Sequence, residues 1–154
     1  DCTLGLACDA LVAAAHAGDG GEVVGLERNL LLHTLVSDGL REYGFSSPAL
    51  AGAARRIRPV LVDHLEYLES CEKKSFDVVY FDPFFEKTVP ASASMQVMRE
   101  VSELRGLSAE AVEAASRVAR KRVVVKCRRG EFGKFEFDRT IEAGNRVIYG
   151  IIDL

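Results

Sequence analysis

The amino-acid sequence predicts an α/β fold: a doubly wound, mostly parallel sheet with helices on both faces and a C-terminal pair of antiparallel strands. Three observations support this prediction. Segments with strand and helix periodicity alternate along the chain. The segment Phe76–Phe81 is predicted as a continuous apolar strand, which is typical of a parallel sheet between two helix layers. Several strands also end in a carboxylate, at the edge where such folds bind ligands.

Local signals define the elements in order. The predicted helices are 9–17, 29–43, 47–53, 64–71, 91–104 and 109–120, and the predicted strands are 22–27, 57–62, 76–81, 122–126, 134–138 and 146–152. Asp9 is a plausible N-cap of the first helix and Gly18 its stop. Pro59 predicts an edge or near-edge place for its strand, because proline cannot donate to the ladder. Ser108 is the expected cap of the last helix.

Length and charge limit the functional classes. The 154 residues fit one compact domain, and no apolar run approaches the ~20 residues that span a bilayer. No signal peptide is recognised, so we expect a cytoplasmic protein. The net charge is −3, so any nucleic-acid contact requires a local basic patch.

The cysteines argue against a metal centre. None of the four cysteines forms a C-x-x-C pair, and the three histidines do not cluster with them. We therefore expect no zinc site, and free thiols in a reducing compartment.

The chain begins at Asp1, inside what resembles a strand-to-helix motif. The apolar strand Phe76–Phe81 requires neighbours on both edges. We therefore expect the 1–154 core to lack its first strand, and the polypeptide to continue upstream with an apolar strand of about five residues, preceded by more sequence.

Residues that follow the strands are the candidate ligand-binding groups. Asp1-Cys2-Thr3-Leu4-Gly5 has the form of a tight loop whose small residues let the backbone approach a ligand. Glu27 could accept two hydrogen bonds from the hydroxyls of a ribose. Asp63 could accept one from an adenine amino group, or cap the helix that starts at His64.

The motif Asp82-Pro83-Phe84-Phe85 is the strongest signal for catalysis. Pro83 fixes the backbone after a buried strand, so Asp82 and nearby carbonyls face the cleft. Together they can accept both hydrogens of an exocyclic amino group, while Phe84 or Phe85 stacks on a planar base. An Asp-Pro turn followed by two core phenylalanines is the alternative.

Two nucleotide-binding classes are disfavoured. A dinucleotide-binding fingerprint requires G-x-G-x-x-G, and only Gly5 is present. A P-loop requires Gly-Lys-Ser/Thr, which does not occur.

Taken together, these motifs resemble the class I S-adenosylmethionine-dependent methyltransferases, which have a Rossmann-like fold. The closer resemblance is to the 16S ribosomal RNA guanine-N2 methyltransferases of the Asp-Pro-Met-Phe type and their Gram-positive relatives. It covers nearly the whole chain and depends on residues 1–10, 25–28, 63–68, 76–85 and 119–126.

The resemblance implies S-adenosylmethionine as cofactor and methylation of a base amino group in ribosomal RNA. It implies cofactor contacts at Cys8, Asp9, Glu27, Arg28, Asp63, His64 and Asp82, beside the loop residues Asp1, Thr3 and Gly5. Cys8 stands where the ribosomal RNA enzymes have arginine, and Phe84 replaces their methionine. Both departures concern the substrate more than the reaction.

The basic stretch 117–129 contains seven lysines or arginines and no acid. It is either a solvated helix end and strand, or a phosphate-contacting edge for RNA near the active site. The candidate RNA contacts are Arg120, Lys121, Arg128 and Arg129. DNA, protein or small-molecule substrates, and a non-catalytic cofactor- or RNA-binding module, are the alternatives.

Overall fold

The computed structural model describes residues 1–83, 106–128, 135–144 and 147–154. The helices of these ranges are α1 Cys8–Ala17, α2 Leu30–Glu42, α3 Pro48–Ala54, α4 His64–Ser70 and α5 Ala109–Val118. The strands are β1 Val23–Glu27, β2 Ile57–Leu61, β3 Phe76–Phe81, β4 Ala119–Arg128, β5 Arg139–Ala143 and β6 Val147–Asp153. The predicted helix 91–104 lies outside the described residues.

The described strands form two sheets, and the carboxyl ends of their parallel pairs form the edge where ligand binding is predicted. β1 pairs with β2 in parallel, and β3 pairs with β4 in parallel. β6 runs antiparallel to both β4 and β5, so the larger sheet has the order β3-β4-β6-β5. The α/β class and the C-terminal antiparallel pair are confirmed. The described strands do not form one doubly wound parallel sheet, because the larger sheet is mixed.

The segment Asp1–Leu4 connects the two sheets. The backbone N–H of Cys2 donates to the Tyr80 carbonyl at 2.9 Å, and the N–H of Leu26 donates to the Asp1 carbonyl at 2.8 Å. Leu4 N–H donates to the Leu26 carbonyl at 3.0 Å. The first loop therefore lies between the carboxyl ends of β1 and β3.

Helices cover both faces of the sheets. Val23 packs with the apolar residues of α1, α2 and α3, whereas its neighbour Val24 belongs to the core that contains α4 and α5. Because successive side chains of a strand point to opposite faces, the two cores lie on opposite sides. The strand ends between them remain open to a ligand.

Two local predictions are wrong. Asp9 does not cap α1, because Ala7 is the N-cap, with φ 60° and no side-chain cap bond, and Asp9 lies inside the first turn. Val78 is 45% exposed, so β3 is not covered along its whole length. The caps at Asn29, Asp63 and Ser108 each accept a hydrogen bond from a backbone N–H.

The first strand of the C-terminal pair is also misplaced in the prediction. The alternating polar and apolar residues of 134–138 have the period of a strand, but the pairing with β6 begins at Arg139. The ring of Phe137 packs instead over Gly150, within 2.5 Å of where a Cβ would stand. β5 itself is exposed on both faces, and for a strand without a buried face the sequence needs no alternation of apolar and polar residues that would reveal it. Within the described ranges, no helix combines the length and apolarity that a membrane span requires.

Candidate functional site

A cleft of about 260 Å³ lies at the carboxyl ends of β1, β2 and β3. It brings together most of the predicted ligand-binding residues: Thr3, Gly5, Glu27, Arg28, Asp63, His64 and Pro83. The sequence did not predict the apolar and polar wall formed by Leu26, Asn29, Leu65, Leu107 and Ser108. These residues have no distinctive local motif and come together only because their loops meet at one edge.

The first loop is held in shape by its own side chains. The Asp1 carboxylate accepts a hydrogen bond from the Thr3 backbone N–H at 2.9 Å. The Thr3 hydroxyl oxygen accepts one from the Asp82 backbone N–H at 2.7 Å. Gly5, with φ 50°, adopts the left-handed conformation that glycine tolerates best. Asp1 and Thr3 therefore position the loop, and Gly5 lets the backbone line the cleft.

The next wall of the cleft consists of charged groups at the ends of β1 and β2. Glu27 Oε1 accepts a hydrogen bond from the Asn29 N–H at 2.9 Å, which orients the carboxylate at the strand end. Arg28 Nη1 lies 3.9 Å from Asp63 Oδ2. Asp63 also accepts from the Leu65 N–H at 2.9 Å, so it caps α4 and lines the cleft, as the sequence allows.

His64 lies on the wall beside Asp63 and packs edge-to-face against Phe81, with ring centroids 5.8 Å apart. Burial lowers the pKa of His64, and the nearby Arg28 adds to this, while Asp63 acts in the opposite direction. Burial and the charge of Arg28 both disfavour the protonated ring. Neutral His64 can therefore present an aromatic face and one N–H to a bound group.

A second group of polar side chains lies behind the motif at the end of β3. Lys126 Nζ lies 2.6 Å from Asp82 Oδ2 and 3.1 Å from Asp9 Oδ2. The Tyr80 hydroxyl donates to the same oxygen of Asp9 at 2.6 Å. We call these four residues the Lys126 cluster. The parallel register pairs Phe81 with Val125, so the next residues along the two strands, Asp82 and Lys126, lie at the same level.

The charges of the Lys126 cluster depend on one another. Burial raises the pKa of Asp82, Asp9 raises it further, and the bond from Lys126 opposes both. Burial alone would raise the pKa of Asp9, but the hydrogen bonds from Tyr80 and Lys126 outweigh it and the net shift is downward. Asp82 is thus the carboxylate that is harder to ionise.

Four predicted cofactor residues do not lie on the cleft wall. The Asp1 carboxylate is bonded to the Thr3 backbone N–H. Asp9 and the Asp82 side chain are directed toward Lys126. Cys8 is exposed, and its thiol approaches the Leu6 carbonyl at 4.0 Å. The Asp82 motif still adjoins the cleft, because Pro83 lines it. The predicted residues Phe84, Phe85 and Arg129 lie outside the described residues.

The predicted RNA contacts do not form one patch. Arg120 and Lys121 lie at the amino end of β4, where they approach Asp77 at 3.9 and 3.3 Å. The site is at the other end of the strand. Arg120 and Lys126 are six residues apart, which at about 3.3 Å per residue is roughly 20 Å. Arg128 alone among the described candidates is close to the carboxyl end of β4.

Comparison with known proteins identifies relatives. Residues 1–134 match the model of the family described as "Putative SAM-dependent methyltransferase". The uncharacterized protein YpiP of Bacillus subtilis is 40% identical over 126 residues, which are 82% of this chain and 49% of YpiP. The ribosomal RNA small subunit methyltransferase J of Marinobacter nauticus is 34% identical over 129 residues, 82% of this chain and 45% of that protein.

The chain thus spans about half the length of these curated relatives. Among solved structures, the SAM-dependent methyltransferase NGO1261 from Neisseria gonorrhoeae superposes with a TM-score of 0.68 at 22% identity. The superposition covers 99% of this chain and 60% of that one. At this identity the likeness concerns the fold.

Proposed function

This chain belongs to that family of SAM-dependent methyltransferases, and we propose that it methylates an exocyclic amino group of a base, guanine N2, in ribosomal RNA. The observation that carries the proposal is the position of Asp82. Its backbone is bonded to the cofactor-loop residue Thr3, and the following Pro83 lines the cleft. A carboxylate at that junction is suited to accept hydrogen bonds from an amino group beside a methyl donor.

The residues of the cleft fit S-adenosylmethionine. Glu27 would accept hydrogen bonds from the ribose hydroxyls, as a strand-end acid does in related folds. Asp63 would accept one from the adenine amino group, and His64 and Leu65 would contact the ring. Acidic residues at the cleft also favour a ligand that carries positive charge.

When bound, S-adenosylmethionine would supply an electrophilic methyl group to the acceptor nitrogen, with S-adenosylhomocysteine as the leaving group and the nitrogen's proton released to solvent. The protein's part is to bind, orient and exclude water. Asp82 and nearby carbonyls would hold the amino hydrogens so that the lone pair is aimed at the donor. Phe84 and Phe85 are the proposed stacking surface for the base.

The choice of ribosomal RNA is supported by the relative from Marinobacter nauticus, which is a ribosomal RNA small subunit methyltransferase. A ribosomal RNA substrate implies that the protein acts in the cytoplasm. Arg128 and Arg129 are the proposed phosphate contacts. Arg128 is at the carboxyl end of β4, and the Asp82 motif follows the carboxyl end of the neighbouring parallel strand β3. Arg120 and Lys121 are poorer candidates at the far end of β4.

The test is methyl transfer from tritiated S-adenosylmethionine to ribosomal RNA by the full-length protein, followed by mass spectrometry of the nucleosides. We expect N2-methylguanosine from the parent protein and its loss in Asp82→Ala. Asp77→Ala is the matched control, since Asp77 lies at the far end of β3, the strand that Asp82 follows. Another methylated nucleoside would correct the target atom. Methyl transfer only to DNA, protein or a small molecule would overturn the RNA proposal.

A further inference from the structure

Lys126 is the centre of a polar cluster that the cofactor cleft does not explain. It comes from β4, Asp82 follows β3, and Asp9 is in the first turn of α1, so three elements meet at one ammonium group. The side chain of Lys126 is 22% exposed, and those of Asp82 and Asp9 are 30% and 39% exposed. Two partly buried carboxylates therefore share one cation.

Asp82 and Asp9 differ in their contacts with the donors of the Lys126 cluster. Asp82 Oδ2 is nearer to Lys126 Nζ, at 2.6 Å, than Asp9 Oδ2, at 3.1 Å. Asp9 has a second donor in the Tyr80 hydroxyl. Lys126 is therefore the ammonium group that compensates Asp82, while Asp9 is partly compensated by Tyr80. Removing Lys126 would leave two neighbouring carboxylates without their shared cation, which strongly disfavours ionisation of both.

We propose that Lys126 is a positioning residue for methyl transfer: it keeps the Asp82 carboxylate ionised and holds its Oδ2 in place, at the junction with the cleft where the acceptor amino group would bind. This inference rests on the proposed function for the use of Asp82, but the coupling of the two side chains can be measured separately. It also assigns Asp9 a role different from a cofactor contact. Asp9 accepts a second hydrogen bond from the Lys126 ammonium group, which therefore links the start of α1 to the Asp82 motif.

Four titratable neighbours determine how Asp82 responds to pH. Asp9 faces it from α1, Lys126 from β4 and Tyr80 from β3, and Tyr149 of β6 stands beside Lys126 and Tyr80. Since burial and Asp9 both raise the pKa of Asp82 and Lys126 lowers it, the variants have opposite expected signs. Loss of Lys126 should raise the pKa, and loss of the Asp9 charge should lower it.

The first measurement is the titration of the Asp82 carboxyl carbon by ¹³C NMR in the full-length protein. We expect the midpoint to move to higher pH in Lys126→Met and to lower pH in Asp9→Asn. Arg122→Met is the matched control: Arg122 lies on the same strand and face, four residues earlier, and pairs with Asp153 at 3.7 Å. Its midpoint should equal that of the parent. Unchanged midpoints in Lys126→Met and Asp9→Asn would overturn the inference, and Asp9→Asn alone decides if Lys126→Met does not fold.

The second measurement is methyl transfer to RNA as a function of pH. We expect Lys126→Met to reduce kcat at least tenfold and to move the acid limb to higher pH, with KM for S-adenosylmethionine within threefold. Lys126→Arg should recover part of the rate, and Arg122→Met should match the parent. A Lys126→Met protein with the parent's pH profile would overturn the positioning role. A parent protein that binds the cofactor but methylates no RNA would instead refute the proposed function, and the NMR midpoints would still judge the coupling.

Discussion

The backbone N–H of Asp82 donates a 2.7 Å hydrogen bond to the hydroxyl oxygen of Thr3, although 79 residues separate the two in the chain. The bond joins the loop at the start of the chain to the motif at the end of β3. The acceptor of this bond is a side chain, the Thr3 hydroxyl, while the Thr3 backbone N–H donates to the Asp1 carboxylate. The geometry of the cofactor loop and of the acceptor motif is therefore coupled through one hydroxyl group.

Thr3→Val should test this coupling, because valine keeps the shape and removes the acceptor. A part-buried N–H without a partner costs about 1–3 kcal/mol, so the free energy of unfolding in urea should fall by that amount. Affinity for S-adenosylhomocysteine should fall as well. Thr3→Ser retains the oxygen and should stay near the parent in both measurements. A valine variant as stable as the parent would show that the bond contributes nothing.

Glu27→Ala should weaken the binding of S-adenosylhomocysteine by roughly 1.5–3 kcal/mol, because a charged acceptor for the ribose hydroxyls is lost. Isothermal calorimetry measures the change directly. Glu22→Ala is a fair control, since Glu22 precedes the same strand at its other end and pairs with Arg58 in solvent. Parent-like affinity in a folded Glu27→Ala protein would remove Glu27 from the site.

His64 should make the fold sensitive to mild acid. Because burial lowers its pKa in the folded state, its contribution to stability is complete above the unfolded value of about 6.5 and is lost as the pH falls below it. Unfolding in urea near pH 7.5 and near pH 5.5 should therefore show lower stability in acid. His64→Phe, which keeps a ring against Phe81, should reduce this difference, whereas substitution of the exposed His16 by Gln should not. Equal pH dependence in the parent and His64→Phe would contradict the assignment.

RNA binding should depend on the carboxyl end of β4 and not on its amino end. Reversal of Arg128 and Arg129 to Glu should weaken RNA binding and reduce its dependence on salt concentration, because fewer counterions are released. The affinity for S-adenosylhomocysteine should not change. Reversal of Arg120 and Lys121 is the comparison, and we expect little effect, as both lie near Asp77 at the far end. Equal loss from both pairs would mean that RNA follows the whole strand.

Much of the fold follows from short-range signals. Asp63 and Ser108 cap helices, and Gly18, with φ 69°, ends one, because each requirement is local to a single turn. The failures have equally local reasons. Asp9 has the right residue type for a cap, but Lys126 and Tyr80 attract its carboxylate from other strands.

The sequence by itself determined the family resemblance and the strand-end residues Glu27, Asp63 and Pro83 of the cleft, because carboxyl ends of parallel strands meet at one edge. Only the tertiary structure decided that Lys126 stands beside Asp82 and that Arg120 does not. That outcome depends on the register of β3 against β4, in which Phe81 pairs with Val125. Register is set by packing between elements far apart in the chain, so the residues of either strand cannot specify it alone.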